Sequence, residues 1–155
     1  MFEIPEGLDP ALIPVAWLLG TWSGGGVGSG DVPFTQRLEI AVVPGRPVLS
    51  HVSTATGADG AVHTELGFWR PGEGLTEVEF LAADADGFLQ IGYGEVDGYK
   101  VEIGSDAVLR TPTGGQVAAL RTLYGRVEGD LAYARDRAGP DGTWIAHASA
   151  RLRPS

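Results

Sequence analysis

Trp17-Leu18-Leu19-Gly20-Thr21-Trp22-Ser23-Gly24-Gly25-Gly26 is the stretch on which the fold turns. An apolar segment ends at Gly20, and a glycine-rich run begins with Trp22 inside it. A large indole at that point can close the base of a β-barrel, and glycines beside it let a neighbouring backbone approach closely. Upstream, Asp9 suits a helix N-cap, Pro10 the first helical position and Gly20 a stop. Pro14 limits that segment to a short helix or to 3₁₀ turns, because proline lacks an N–H and clashes with the preceding turn.

Downstream, turn signals recur at Pro44-Gly45, Asp59-Gly60, Pro71-Gly72, Asp86-Gly87, Asp97-Gly98, Gly114-Gly115, Gly129-Asp130 and Asp141-Gly142. Between them lie short runs rich in Val, Leu, Phe, Tyr and Thr, as strands require. The pattern predicts strands over 20–28, 34–43, 47–55, 61–70, 75–82, 87–95, 99–107, 116–126, 130–136 and 143–153. Val78, Phe80 and Ala82 alternate with Glu77, Glu79 and Leu81; Val101 and Ile103 alternate with Lys100, Glu102 and Gly104. Ten sequential strands joined by short turns, after one short helix or 3₁₀ segment, point to an all-β, antiparallel up-and-down barrel, in which closure removes exposed sheet edges.

The 155 residues fit a single domain, 1–155, with no linker and no repeat of fixed period. No cysteine is present, which excludes disulfides, thiolate metal sites and cysteine nucleophiles. A net charge of −9 disfavours nucleic-acid backbones and anionic membranes as partners. No apolar run approaches the roughly 20 residues that span a bilayer. MFEIPEGLDP carries neither a basic n-region nor an apolar h-region, so the expected location is the cytoplasm. The segment Gly24–Gly30 is glycine-rich, but a strand and not a helix follows it, which argues against a phosphate loop.

Gly20-x-Trp22-x-Gly24-x-Gly26 matches the extended glycine motif of the nitrobindins, a haem-binding branch of the lipocalin-like barrels. Further blocks keep that family's order. Glu65-Leu66-Gly67-Phe68-Trp69-Arg70-Pro71 resembles its acidic, glycine and aromatic segment. Tyr93-Gly94-Glu95-Val96-Asp97-Gly98 and Ser105-Asp106-Ala107-Val108 resemble its middle strands. Leu123-Tyr124-Gly125 through Leu131 resembles the late hairpin, and His147-x-Ser149-Ala150-x-Leu152-x-Arg153 the last strand.

The resemblance implies a ten-stranded barrel holding one b-type haem per chain near an open end. It implies His147 as the axial iron ligand and a sixth position left for a small molecule. It further implies nitric oxide binding, isomerisation of peroxynitrite to nitrate by the ferric form, and a possible homodimer. His63 falls where the family can carry a distal-side histidine. Ser29 is the nearest hydroxyl to the family's threonine after the glycine motif, and Arg121 the best match to its basic residue before the Leu-Tyr-Gly segment, a contact for a haem propionate. His51 matches no role in the family and is expected to be structural.

The residues alone leave two matters open. Strict alternation puts His147 with Thr143, Ile145, Ser149 and Arg151, opposite the more apolar face of Trp144, Ala146, Ala148, Ala150 and Leu152. A β-bulge would change that facing. A barrel of this size would also serve as a haem-free carrier of an apolar small ligand, in the manner of a fatty-acid-binding protein.

Overall fold

Asp9 caps a 3₁₀ segment, Pro10–Leu18, by accepting the Ala11 N–H at 2.9 Å. Pro14 sits inside it, which accounts for 3₁₀ instead of α geometry. Leu12, Val15, Trp17 and Leu18 of this segment are buried. Leu19 then turns extended, its N–H bonded to the Ala16 carbonyl at 3.1 Å, and the chain enters the first strand. The computed structural model describes residues 3–155; Met1, the sole methionine, lies outside them.

Ten strands follow: β1 (Gly20–Gly28), β2 (Pro33–Val42), β3 (Leu49–Gly57), β4 (Val62–Pro71), β5 (Glu77–Asp84), β6 (Phe88–Asp97), β7 (Lys100–Arg110), β8 (Ala119–Val127), β9 (Asp130–Ala138) and β10 (Trp144–Pro154). Each pairs antiparallel with its sequence neighbours, and β10 returns to pair with β1. The sheet is therefore a closed ten-stranded barrel, as the sequence predicts, with strand limits within three residues of the expected ones. A 3₁₀ turn at Ser29–Asp31, which the strand pattern does not announce, links β1 to β2. None of the described helices is long and apolar enough to cross a membrane.

The glycine motif works at the seam where the barrel closes. Gly24 stands opposite Leu152, and Gly26 opposite Ala150. A methyl on Gly26 would collide with the Ser149 carbonyl, the Phe34 ring and the Ala150 methyl. A methyl on Gly24 would strike the Arg151 carbonyl. Trp22 is buried, and its indole N–H donates to the Leu18 carbonyl at 3.0 Å. It joins Trp17, Leu38, Ile40, Leu152 and the 3₁₀ segment in the apolar core that fills this end of the barrel.

The seam yields a paired test. Gly26→Ala should cost about 1–3 kcal/mol, because the added methyl overpacks a site with no room to relax. Gly25 faces solvent, and a methyl there meets only the Phe34 carbonyl at 3.5 Å. Gly25→Ala should therefore change stability by no more than about 0.5 kcal/mol. Urea unfolding curves that coincide for the two variants would refute this role for the motif.

Candidate functional site

Beyond the apolar core, the inward faces of the strands turn polar. Period-two alternation from buried Leu131 carries Tyr133, Arg135 and Arg137 inward along β9. The same rule brings Glu65 inward beside Gly67 and Trp69 on β4, and Asp84 inward after Phe80 and Ala82 on β5. Glu65, Asp84, Tyr133, Arg135 and Arg137, with Phe34, Gln36, His51, Ser53, Phe88, Val117 and Leu120, line a cavity of about 330 Å³. Its mouth is marked by half-exposed His63 and Asp86, whose Nδ1 and Oδ2 lie 3.4 Å apart.

A hydrogen-bonded cluster forms the floor. The Glu65 carboxylate accepts from Arg135 Nη1 at 3.0 Å and Nη2 at 3.3 Å, and bonds His51 Nε2 at 3.0 Å. Trp69 Nε1 donates to His51 Nδ1 at 3.1 Å. An indole N–H can only donate, so Nδ1 accepts and His51 carries its proton on Nε2, which donates to Glu65. Arg135 further reaches Thr122 Oγ1 at 2.8 Å and the Tyr124 hydroxyl at 3.3 Å. Tyr133 donates to Gln36 Oε1 at 2.6 Å, and Gln36 Nε2 donates to Ser53 Oγ at 2.8 Å. Burial opposes ionisation of Glu65, but the Arg135 guanidinium and the His51 hydrogen bond overcome it, so its carboxyl is held well below the usual carboxylate range. Arg135 is correspondingly held above its usual value by Glu65, against the effect of burial. Burial pushes the Tyr133 phenol up to about 12.

His147 reaches the cavity through an irregularity in β10. Ala146 pairs with Asp136 and Ala148 with Arg135, so His147 is an extra residue without a partner on β9, a β-bulge. The bulge lets two consecutive residues, His147 and Ala148, both line the cavity. Beyond it, Ala150 and Leu152 point inward and Ser149 and Arg151 outward. The two facings that strict alternation sets in opposition thus coexist. The His147 Nδ1 is buried and has no hydrogen-bond partner. Desolvation first, then the positive charge of Arg135 and Arg137, pushes its pKa down to about 4. The imidazole is neutral across the physiological range, the form that offers a lone pair to a metal.

The cavity gathers some of the residues singled out in the sequence and not others. Ser29 lies beside His147, its hydroxyl 3.5 Å from the His147 carbonyl, and lines the cavity wall. His63 follows the inward parity of β4 and stands at the mouth. Arg121 is a correction. It alternates with buried Leu120 and Thr122, so it points out of the barrel, where it pairs with Asp136 at 2.9 Å and its guanidinium lies 4.3 Å from the Trp144 ring centre. It has no access to a group held inside. The inward cation is instead Arg137, on the cavity wall, with which no described carboxylate is paired. Arg135, Arg137 and Asp84 carry no motif. The available signal is parity: Asp84 falls two residues from Ala82, Arg135 two from Tyr133, and Arg137 two further along the same face.

Comparison with known proteins places this geometry. Residues 11–153 match the family model described as the THAP4-like, heme-binding beta-barrel domain. The chain is 36% identical to a ferric nitrobindin-like protein of Cutibacterium acnes, over 99% of both chains. It is 38% identical to a peroxynitrite isomerase of a Nocardioides species, over 97% of both. The crystal structure of Rv2717c from M. tuberculosis superimposes with a TM-score of 0.83 at 27% identity, covering 96% of this chain and 99% of that one.

The depressed pKa of His147 has a consequence for stability. An unfolded histidine takes up its proton near 6.5, whereas His147 in the fold does so only near 4. Between those values the unfolded state binds more protons, so stability is lost as pH falls from 6.5 toward 4. The contribution is roughly 2 kcal/mol after allowance for partial exposure. His147→Gln should remove it: the stability difference between wild type and variant, measured by urea unfolding of the ligand-free chains, should shift by that amount between pH 7 and pH 4.5. Parallel pH profiles would contradict a buried, neutral His147.

Proposed function

The chain belongs to the THAP4-like haem-binding β-barrel domain family, and from that premise we propose that it holds one b-type haem per chain, with His147 as the axial ligand of the iron, binds nitric oxide and isomerises peroxynitrite to nitrate. The observation that carries this reading is His147 itself, a neutral imidazole brought onto the cavity wall by a bulge, with one buried nitrogen left unbonded. Because Nδ1 is buried against protein, Nε2 is the nitrogen available to a group in the cavity.

The remaining lining suits a flat apolar ring with an anionic edge. Val32, Phe34, Phe88, Val117 and Leu120 supply apolar surface that excludes water. Arg137 is the cation placed to meet a propionate, and Ser29 and Gln116 add polar groups near the rim. Bound haem supplies ferric iron, a Lewis acid toward a peroxynitrite oxygen. The chain's part would be to hold the imidazole neutral and to neutralise the buried Arg135 with Glu65. A carrier of apolar molecules would call for a more apolar wall, and the presence of Asp84 and Gln116 on this one speaks against that reading.

Haem titration followed by absorbance tests the proposal. Wild type should show a Soret transition that saturates at one haem per chain, and His147→Ala should abolish it. Arg137→Ala should weaken affinity about twofold to fivefold, as loss of one partly exposed ion pair would. Arg121→Ala should leave it unchanged. An unaltered Soret band in His147→Ala would sink the ligand assignment, and an Arg121→Ala effect equal to that of Arg137→Ala would sink the assignment of the propionate contact.

A further inference from the structure

We infer that the Asp84 carboxyl selects among ligands bound opposite His147, admitting anions when it carries a proton and repelling them when it is ionised. The inference rests on the haem reading above and assigns a specificity role to a residue outside every sequence motif.

Position is the first argument. In the ring of ten strands, β5 stands five strands from β10 in either direction, so the two face each other across the barrel. Val78, Phe80 and Ala82 are buried on the inward face of β5, and Asp84 continues that face into the cavity that His147 also lines. A small molecule on the far side of a group held by His147 would meet the wall formed by β4 and β5.

The second argument is what Asp84 lacks. The cavity holds several carboxylates, but Glu65 is taken up by Arg135, and Asp86 and Asp59 sit at the exposed mouth. Asp84 Oδ1 accepts the Asp86 N–H at 2.8 Å, and among the described residues no cation is paired with the carboxyl. The surrounding charges are Asp86 on the following turn, Glu65 and His63 on β4, Arg135 and Arg137 on β9, and His147 on β10; β6 contributes only uncharged Phe88 and Gln90. Burial raises the pKa of Asp84; Asp86 and Glu65 add to the rise, while the Asp86 N–H and Arg135 oppose it. A proton on Oδ2 would make the group an O–H donor to an anionic ligand, and its loss would set two negative charges facing each other in a site with little water.

Azide serves as the anionic probe. The full chain, loaded with ferric haem, is titrated with azide by Soret shift over a pH range centred on the Asp84 midpoint found by carbon-13 titration, as wild type and as Asp84→Asn, which keeps the Oδ1 acceptor. Wild-type affinity should fall at least tenfold more steeply over this range than that of the variant, while nitric oxide, a neutral ligand, should bind both alike. Superimposable azide profiles would overturn the inference while leaving the haem reading intact. Absence of any Soret band in the wild type would overturn both. A carbon-13 titration of the ligand-free chain gives a reading independent of haem: Asp84 should titrate above an ordinary aspartate, and a midpoint near the usual value of about 3.9 would also overturn the inference.

Discussion

One unpaired residue in β10 decides which side of the barrel wall carries His147. In a regular strand, consecutive side chains point to opposite faces, and the inward set of β10 is fixed by Ala150 and Leu152 in the apolar core. Without the bulge His147 would share the outward face with Ser149 and Arg151. With it, the strand keeps its register toward the core and still turns an imidazole inward near the mouth. Bulges of this kind re-aim a side chain at the cost of a locally broken ladder. The break here lies at the one strand position where the proposed chemistry needs a donor.

The rest of the barrel divides its labour around that position. One end is plugged by the 3₁₀ segment and its indoles, and glycines at the β1–β10 seam allow the closure that leaves no free edge. In the other half, a buried ion pair and its hydrogen bonds form a rigid polar floor. A pair such as Glu65 and Arg135 adds little net stability, since desolvating both charges offsets most of their attraction. It does fix the orientation of His51, Trp69, Tyr124 and Thr122 together, because each of these bonds has one compatible donor and acceptor arrangement. Burial first, and then the positive charge of Arg135 and Arg137, keeps His147 unprotonated. Floor and His147 are thus coupled through electrostatics and through the β9–β10 ladder, in which Arg135 pairs with Ala148.

Much of this was legible in the sequence. Turn dipeptides and period-two runs gave ten strands in order, and Pro14 forecast the 3₁₀ geometry. The glycine motif marked the seam because only glycine permits that approach. The site was legible in part. His147 and Ser29 do come together, but the motif that points to Arg121 conflicts with its parity with Leu120 and Thr122, which places it outside. Arg137 and Asp84 lie on readable inward faces, but the rule that charged residues stay outside masks them. A bulge is one way to turn His147 inward, but nothing in the sequence announces it. Alternation continues through Ala146, His147 and Ala148 without a proline or glycine to announce it, and only the pairing with β9 reveals the extra residue.

The most direct test of the account is a crystal structure of the chain loaded with ferric haem. The account predicts iron bonded to His147 Nε2, with the bulge at His147 retained and the far side of the macrocycle turned toward β4 and β5. Iron bonded to His63, or haem seated on the outer wall with His147 Nε2 unligated, would contradict it.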